Sequence, residues 1–264
     1  MPMPYADVNG QHLYYEDSGG DGPPVAFSHG LFMDESMFDP QVEALSDRYR
    51  CIAWDERGHG RTGEPSGPFS YWDSADDLAA LLASLGVERA VLAGMSQGGF
   101  LSLRCALAHP ELVRALILLD TQAGVEEPER LPGYQAMVDN WVANGPDQAT
   151  LDVIAGLILG EGFADTAAWQ DKWSRQSNDN LVQVFTTLAT RDDIHDRLAE
   201  IDVPVIVIHG EADASIPLDV ARNLADGLPN AEFVIVPGAG HAANLSHPEL
   251  VNPQIERFLA SLDA

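Results

Sequence analysis

The apolar and polar positions of this chain change period several times. Tyr5–Val8 and residues 12–17 alternate on either side of Asn9-Gly10, a pair that favours a two-residue turn, so the chain is expected to open with an antiparallel hairpin. Short apolar runs at 24–27, Arg50–Trp54, 90–93, Val113–Leu119, 203–208 and 232–236 read as further strands. Helical spacing fills the intervals at 36–48, 71–85, 97–108 and 218–228, and a last helix runs from about 247 to 262. In the 71–85 segment Leu78, Leu81, Leu82 and Leu85 fall on one side, and Gly86 stops the helix.

Strands that alternate with helices imply a mostly parallel sheet covered on both faces. The pattern predicts an α/β fold with eight strands, the opening hairpin forming an antiparallel edge. Residues 121–199 break the rhythm. They contain no convincing strand and fit several short amphipathic helices carrying Met137, Trp141, Trp169, Trp173 and Phe185. A stretch of nearly 80 residues is too long for a loop. It is expected to be a helical cap inserted after the sixth strand, with residues 1–120 and 200–264 forming the core domain.

Composition narrows the class. The 264 residues are 45% hydrophobic, ample for a large core. The net charge is −27 and Lys172 is the only lysine, which argues against nucleic acid and anionic membranes as partners. No run approaches the roughly 20 apolar residues of a membrane span, and the start, Met1-Pro-Met-Pro-Tyr5, has no basic-then-apolar leader pattern. Cys51 and Cys105 read as small buried residues, not a disulfide. A cytoplasmic protein is expected, and the sequence leaves room for a homo-oligomer.

The chemistry enters at Gly94-Met95-Ser96-Gln97-Gly98, where an apolar strand ends, a serine stands between two glycines and a helix begins. This is the spacing of a nucleophile elbow: a sharp turn lifts the hydroxyl clear of the backbone, and the new helix aims its N–H groups at the site. A serine nucleophile needs a base and a group to orient that base. Ligand sites of such sheets gather at the carboxyl ends of strands, which directs attention to His209-Gly-Glu211-Ala-Asp213 and to Pro237-Gly-Ala-Gly-His241. The expected base is His241 and the expected acid Asp213, with Glu211 and Asp120 as rivals for the acid. The expected oxyanion donors are the N–H groups of Gln97, directly after the serine, and of Leu31, in the loop Ser28-His29-Gly30-Leu31-Phe32. Phe32, Met95 and Trp169 are expected pocket-wall residues. His59, between two glycines, is expected to brace the site. Gly238-Ala-Gly240 follows the last strand, so it is not a dinucleotide loop, and no histidine or cysteine pair has zinc spacing. No cofactor and no metal are expected.

These motifs together resemble the α/β-hydrolase fold superfamily. Ser28-His29-Gly30, Asp55-x-Arg57-Gly58-x-Gly60-x-Thr62, Gly94-x-Ser96-x-Gly98-Gly99, His209-Gly210-x-x-Asp213 and Gly240-His241 carry the likeness nearly end to end. The chain order serine, acid, histidine also matches that superfamily. Within it the chain is most similar to small esterases, enol-lactonases and cofactor-free haloperoxidase-like perhydrolases, the last through Phe27-Ser-His-Gly-x-x-x-Asp34-x-x-Met37. The resemblance implies an acyl-enzyme hydrolase of a small ester or lactone. Two departures, Gln97 where relatives often carry Met and Leu31 where they often carry Trp, are expected to enlarge or repolarise the acyl pocket. Perhydrolysis with the same residues, and a ligand-binding protein without turnover, stay open as alternatives.

Overall fold

The computed structural model describes residues 4–65 and 67–262; the first three residues, part of the stretch read for a leader, lie outside them. Eight strands form one sheet: β1 (Tyr5–Val8), β2 (Gln11–Asp17), β3 (Pro24–Ser28), β4 (Arg50–Trp54), β5 (Ala90–Met95), β6 (Val113–Leu119), β7 (Val205–Gly210) and β8 (Ala231–Val236). Their spatial order is β1-β2-β4-β3-β5-β6-β7-β8. The hairpin β1–β2 is antiparallel, β2 pairs antiparallel with β4, and every later pairing is parallel. This is the eight-stranded, mostly parallel α/β sheet that the pattern predicted, in the arrangement that the resemblance to α/β-hydrolases implies.

Period-two alternation builds two cores from one sheet. Val25 and Phe27 of β3, with Ile117 and Leu119 of β6, face one side; Ala26, Leu116 and Leu118 face the other. The first side is covered by α1 (Asp39–Leu45) and, near the C-terminus, α9 (Ala243–Ser246) and α10 (Pro248–Ser261). The second packs on α2 (Tyr71–Ser84), α3 (Gln97–Ala108) and α8 (Leu218–Gly227). Between β6 and β7 lie four helices and no strand: α4 (Leu131–Asn144), α5 (Gln148–Ile158), α6 (Thr166–Ser174) and α7 (Asn178–Ala189). Their buried Trp141, Trp169, Trp173, Leu181 and Phe185 join the first core.

Boundaries moved where proline intervenes. The helix expected over 36–48 is a 3-10 turn, Glu35–Phe38, followed by α1 with Pro40 at its start; a residue without an N–H opens a helix better than it continues one. The strand expected from 203 begins at Val205, after Pro204. Ser70 caps α2, its hydroxyl taking the Asp73 N–H while the Asp73 carboxylate takes the Ser70 N–H. Strand order reverses between β3 and β5, so the crevice for a ligand opens where β3 leads into His29-Gly30-Leu31 and β5 leads into Ser96.

Candidate active site

Ser96 sits at the β5–α3 junction with φ +50° and ψ −113°, a strained backbone for a residue with a side chain. The junction is tight. A Cβ at Gly94 would run into the Gly98 carbonyl, and one at Gly98 into the Ser28 carbonyl. Glycine at both places lets the turn close. The Ser96 N–H donates to the Leu119 carbonyl (2.9 Å), and the Thr121 hydroxyl donates to the Ser96 carbonyl (2.7 Å), so β6 holds the turn in place.

Two neighbouring strand ends bring in the other partners. His241, beyond β8, places Nε2 3.0 Å from the Ser96 Oγ, and its Nδ1 lies 2.8 Å from the Asp213 Oδ2. The second Asp213 oxygen accepts the N–H groups of Ser215 (2.8 Å) and Ile216 (2.9 Å). Burial pushes the Asp213 carboxyl up, but His241 and the Ile216 amide outweigh it and hold the group below the usual carboxylate range. This arrangement can pass a proton from the serine hydroxyl to the imidazole and steady the resulting cation. The two rival acids are occupied elsewhere. Glu211 accepts the Gly238 N–H (3.1 Å). Asp120, with no exposed surface, accepts the N–H groups of Gly210 (2.7 Å) and Ala243 (3.1 Å), so it ties the strand end before Asp213 to the loop after His241. Burial and the nearby Asp213 push its carboxyl well above the usual range. Asp120, His209 and Asp213 form the one group of three metal-type donors among the described residues, with one donor atom from each lying within 4.8 Å of the others. Both carboxylates there are already bound by backbone amides or by His241.

Neither the Gln97 N–H nor the Leu31 N–H has a protein acceptor among the described residues. Phe32, next to Leu31, has φ +65° and bends the loop that presents that amide. Buried His29 fixes the same loop: its Nδ1 meets the Gly30 carbonyl at 2.8 Å and its Nε2 accepts the Glu56 N–H at 3.0 Å. The Gln97 side chain turns away from the crevice. It donates to Glu56 Oε2 (2.9 Å), lies 3.3 Å from His59 Nε2, and accepts from the Tyr71 hydroxyl (3.3 Å). Full burial pushes the Glu56 carboxyl well up and drops His59 to about 3, so burial favours the uncharged form of each. The expectation that Gln97 would repolarise the pocket is therefore corrected. Its side chain braces the helix start, and the expected brace His59 is part of the same network.

A mostly apolar pocket opens beside Ser96 and His241. Of the three residues read as pocket wall, Phe32 and Met95 line it, together with Leu31. Trp169 does not. It lies buried on α6, one turn before Trp173, where two aromatics four residues apart share the inward face, and Lys172 Nζ sits 4.1 Å above its ring. Sequence reasoning missed the wall supplied by Met137, Ile154, Leu157, Ile158, Phe185 and Leu188, and the polar residues Gln122 and Glu126. The only sequence signal of the six apolar ones is ordinary helical amphipathicity, which does not separate pocket from core, and Gln122 and Glu126 lie on no helix.

Comparison with known proteins bears on the fold as a whole. The family model of the alpha/beta hydrolase fold matches residues 23–248. A non-heme chloroperoxidase of Streptomyces lividans is 33% identical, over 96% of this chain and 98% of its own. Among solved structures, an esterase from Thermogutta terrifontis superposes with TM-score 0.89 at 27% identity, covering 99% of this chain and 98% of that one. The enol-lactonase of Burkholderia xenovorans LB400 gives the same TM-score at 26% identity, over 97% of this chain and all of that one.

Proposed function

This chain belongs to the alpha/beta hydrolase fold family, and we propose that it is a serine hydrolase cleaving a carboxylic ester or lactone through an acyl-enzyme. The observation that carries the reading is the unbroken run of contacts from Ser96 Oγ to His241 Nε2 (3.0 Å) and from His241 Nδ1 to Asp213 Oδ2 (2.8 Å). In it, Ser96 Oγ attacks the carbonyl carbon while His241 takes the hydroxyl proton. The N–H groups of Gln97 and Leu31 receive the oxyanion, and the start of α3 adds the positive end of its dipole. The tetrahedral adduct collapses, the C–O bond to the alcohol breaks, and His241 returns the proton to the leaving oxygen. Water, activated by the same imidazole, then releases the acid and restores Ser96. Asp213 keeps the imidazole in one tautomer throughout. Residues 121–199 act as the cap, because α4, α5 and α7 supply most of the apolar wall.

A second reading has one observation in its favour, the relative named a chloroperoxidase. In that reading hydrogen peroxide replaces water in the second half-reaction and a peracid leaves. A panel of p-nitrophenyl esters and simple lactones, with and without peroxide, separates the two. Ser96→Ala is expected to lower kcat/KM by about 10⁴-fold or more with the fold intact by circular dichroism. Hydrolysis by Ser96→Ala at the wild-type rate would remove the serine from the mechanism.

A further inference from the structure

The pocket wall is apolar except at Ser96, His241 and the polar residues Gln122, Glu126, Tyr134 and Ser215. One of these is Glu126, in the segment after β6, whose side chain is only 12% exposed. Arg191, at the end of α7, is almost wholly internal and does not itself line the pocket. Its Nε donates to the Gly124 carbonyl (2.8 Å) and its Nη1 to the Leu188 carbonyl (3.0 Å). Nη1 and Nη2 then converge on a single carboxylate oxygen, Glu126 Oε2, at 3.2 and 3.3 Å. Phe100, another wall residue, lies flat against the guanidinium at 4.5 Å. The other carboxylate oxygen, Oε1, has no partner among the described residues.

We infer that Glu126 is a specificity-determining residue whose free oxygen accepts a hydrogen bond from a hydroxyl or amide N–H on the substrate arm lodged in the pocket; the inference rests on the proposed ester or lactone hydrolysis for what the pocket holds. Three features set the chemistry. A carboxylate oxygen in apolar surroundings gains from a donor and loses when faced with alkyl groups alone. Arg191 already balances the charge, so no net negative charge is left to draw in an ammonium group. A carboxylate on the substrate would meet Oε1 lone pair to lone pair, since the guanidinium donates to Oε2 and to the Gly124 and Leu188 carbonyls and does not line the pocket. The complement is thus an uncharged, largely apolar acyl chain carrying one O–H or N–H donor.

Binding to the inactive Ser96→Ala protein tests this without turnover. Calorimetry would compare ethyl hexanoate, its 4-, 5- and 6-hydroxy derivatives, and monoethyl adipate. The best-placed hydroxy ester is expected to bind about tenfold more tightly than ethyl hexanoate, with monoethyl adipate weakest. Adding Glu126→Gln keeps an oxygen for Arg191 and turns an NH₂ towards the pocket. It is expected to cut the hydroxy-to-carboxylate affinity ratio at least tenfold. Equal binding of every hydroxy ester and ethyl hexanoate would overturn the inference, and so would an unchanged ratio in a folded Glu126→Gln protein. If the binding order holds while the wild type hydrolyses none of these esters, the proposed reaction fails and the recognition by Glu126 stands.

Discussion

The sheet and the helical insert meet at one pocket and contribute to it in opposite ways. The turns and loops that follow the strands supply Ser96, Asp213, His241 and the two free amides, and buried hydrogen bonds hold Ser96, Asp213 and His241. The insert supplies mostly shape: Met137, Ile154, Leu157, Ile158, Phe185 and Leu188 are apolar wall. Directional bonds hold atoms to a fraction of an ångström, which proton transfer demands. Apolar contact tolerates substitution so long as volume is kept. On the proposed reaction, the reacting groups are accordingly set in the region held by directional bonds and substrate choice in the one held by apolar contact.

Substitutions on the two sides should therefore fail differently. Asp213→Asn is expected to have the largest effect. It leaves the contacts in place but favours the wrong imidazole tautomer, so kcat should fall about 10⁴-fold with little change in KM. A loss confined to KM would break the division drawn here. On the insert, Leu157→Ala should lower the ratio of kcat/KM for a hexanoyl against an acetyl ester by about tenfold, since a lost pocket contact is read by chain length. An unchanged ratio would move chain recognition off the insert.

The buried carboxyls of Glu35 and Asp55 predict a pH effect. Burial and neighbouring Asp55 raise Glu35 to about 8. A carboxyl raised in the folded state favours folding at low pH, and its contribution is lost as pH rises from its ordinary value near 4.5 to about 8. Urea midpoints of the wild type should thus fall with rising pH across that window more steeply than those of Glu35→Gln. Parallel curves would show that Glu35 titrates normally. The smallest effect is expected where the two regions touch. Lys172 on α6 binds Asp34 at 2.8 Å and the Ser36 hydroxyl at 2.7 Å, but it is 42% exposed. Lys172→Met should cost no more than about 1 kcal/mol in low salt, and the difference should fade in about 1 M salt. A larger, salt-independent loss would make this contact a true part of the core.

The same division explains what was legible in the sequence. The strands and the elbow were readable because backbone constraints write themselves as short local patterns: alternation, a glycine two residues on either side of Ser96, a histidine after the last strand. Glu126 was not readable, because its meaning depends on Arg191, 65 residues away in the chain. Trp169 misled because an aromatic on an amphipathic helix looks the same whether it packs inward or lines a cavity. Gln97 misled because the side chain and the amide of one residue point to different tasks. The 36–48 segment divides into a 3-10 turn and a helix because Pro40 favours a helix start, which helical spacing alone does not mark.

The most direct test of the central claim is reaction with a fluorophosphonate followed by peptide mass spectrometry. Ser96 should be the labelled residue in the wild type, with labelling slowed by about 10³-fold or more in folded His241→Ala. Wild-type protein that leaves Ser96 unlabelled, or labels it just as fast without the imidazole, would contradict the account.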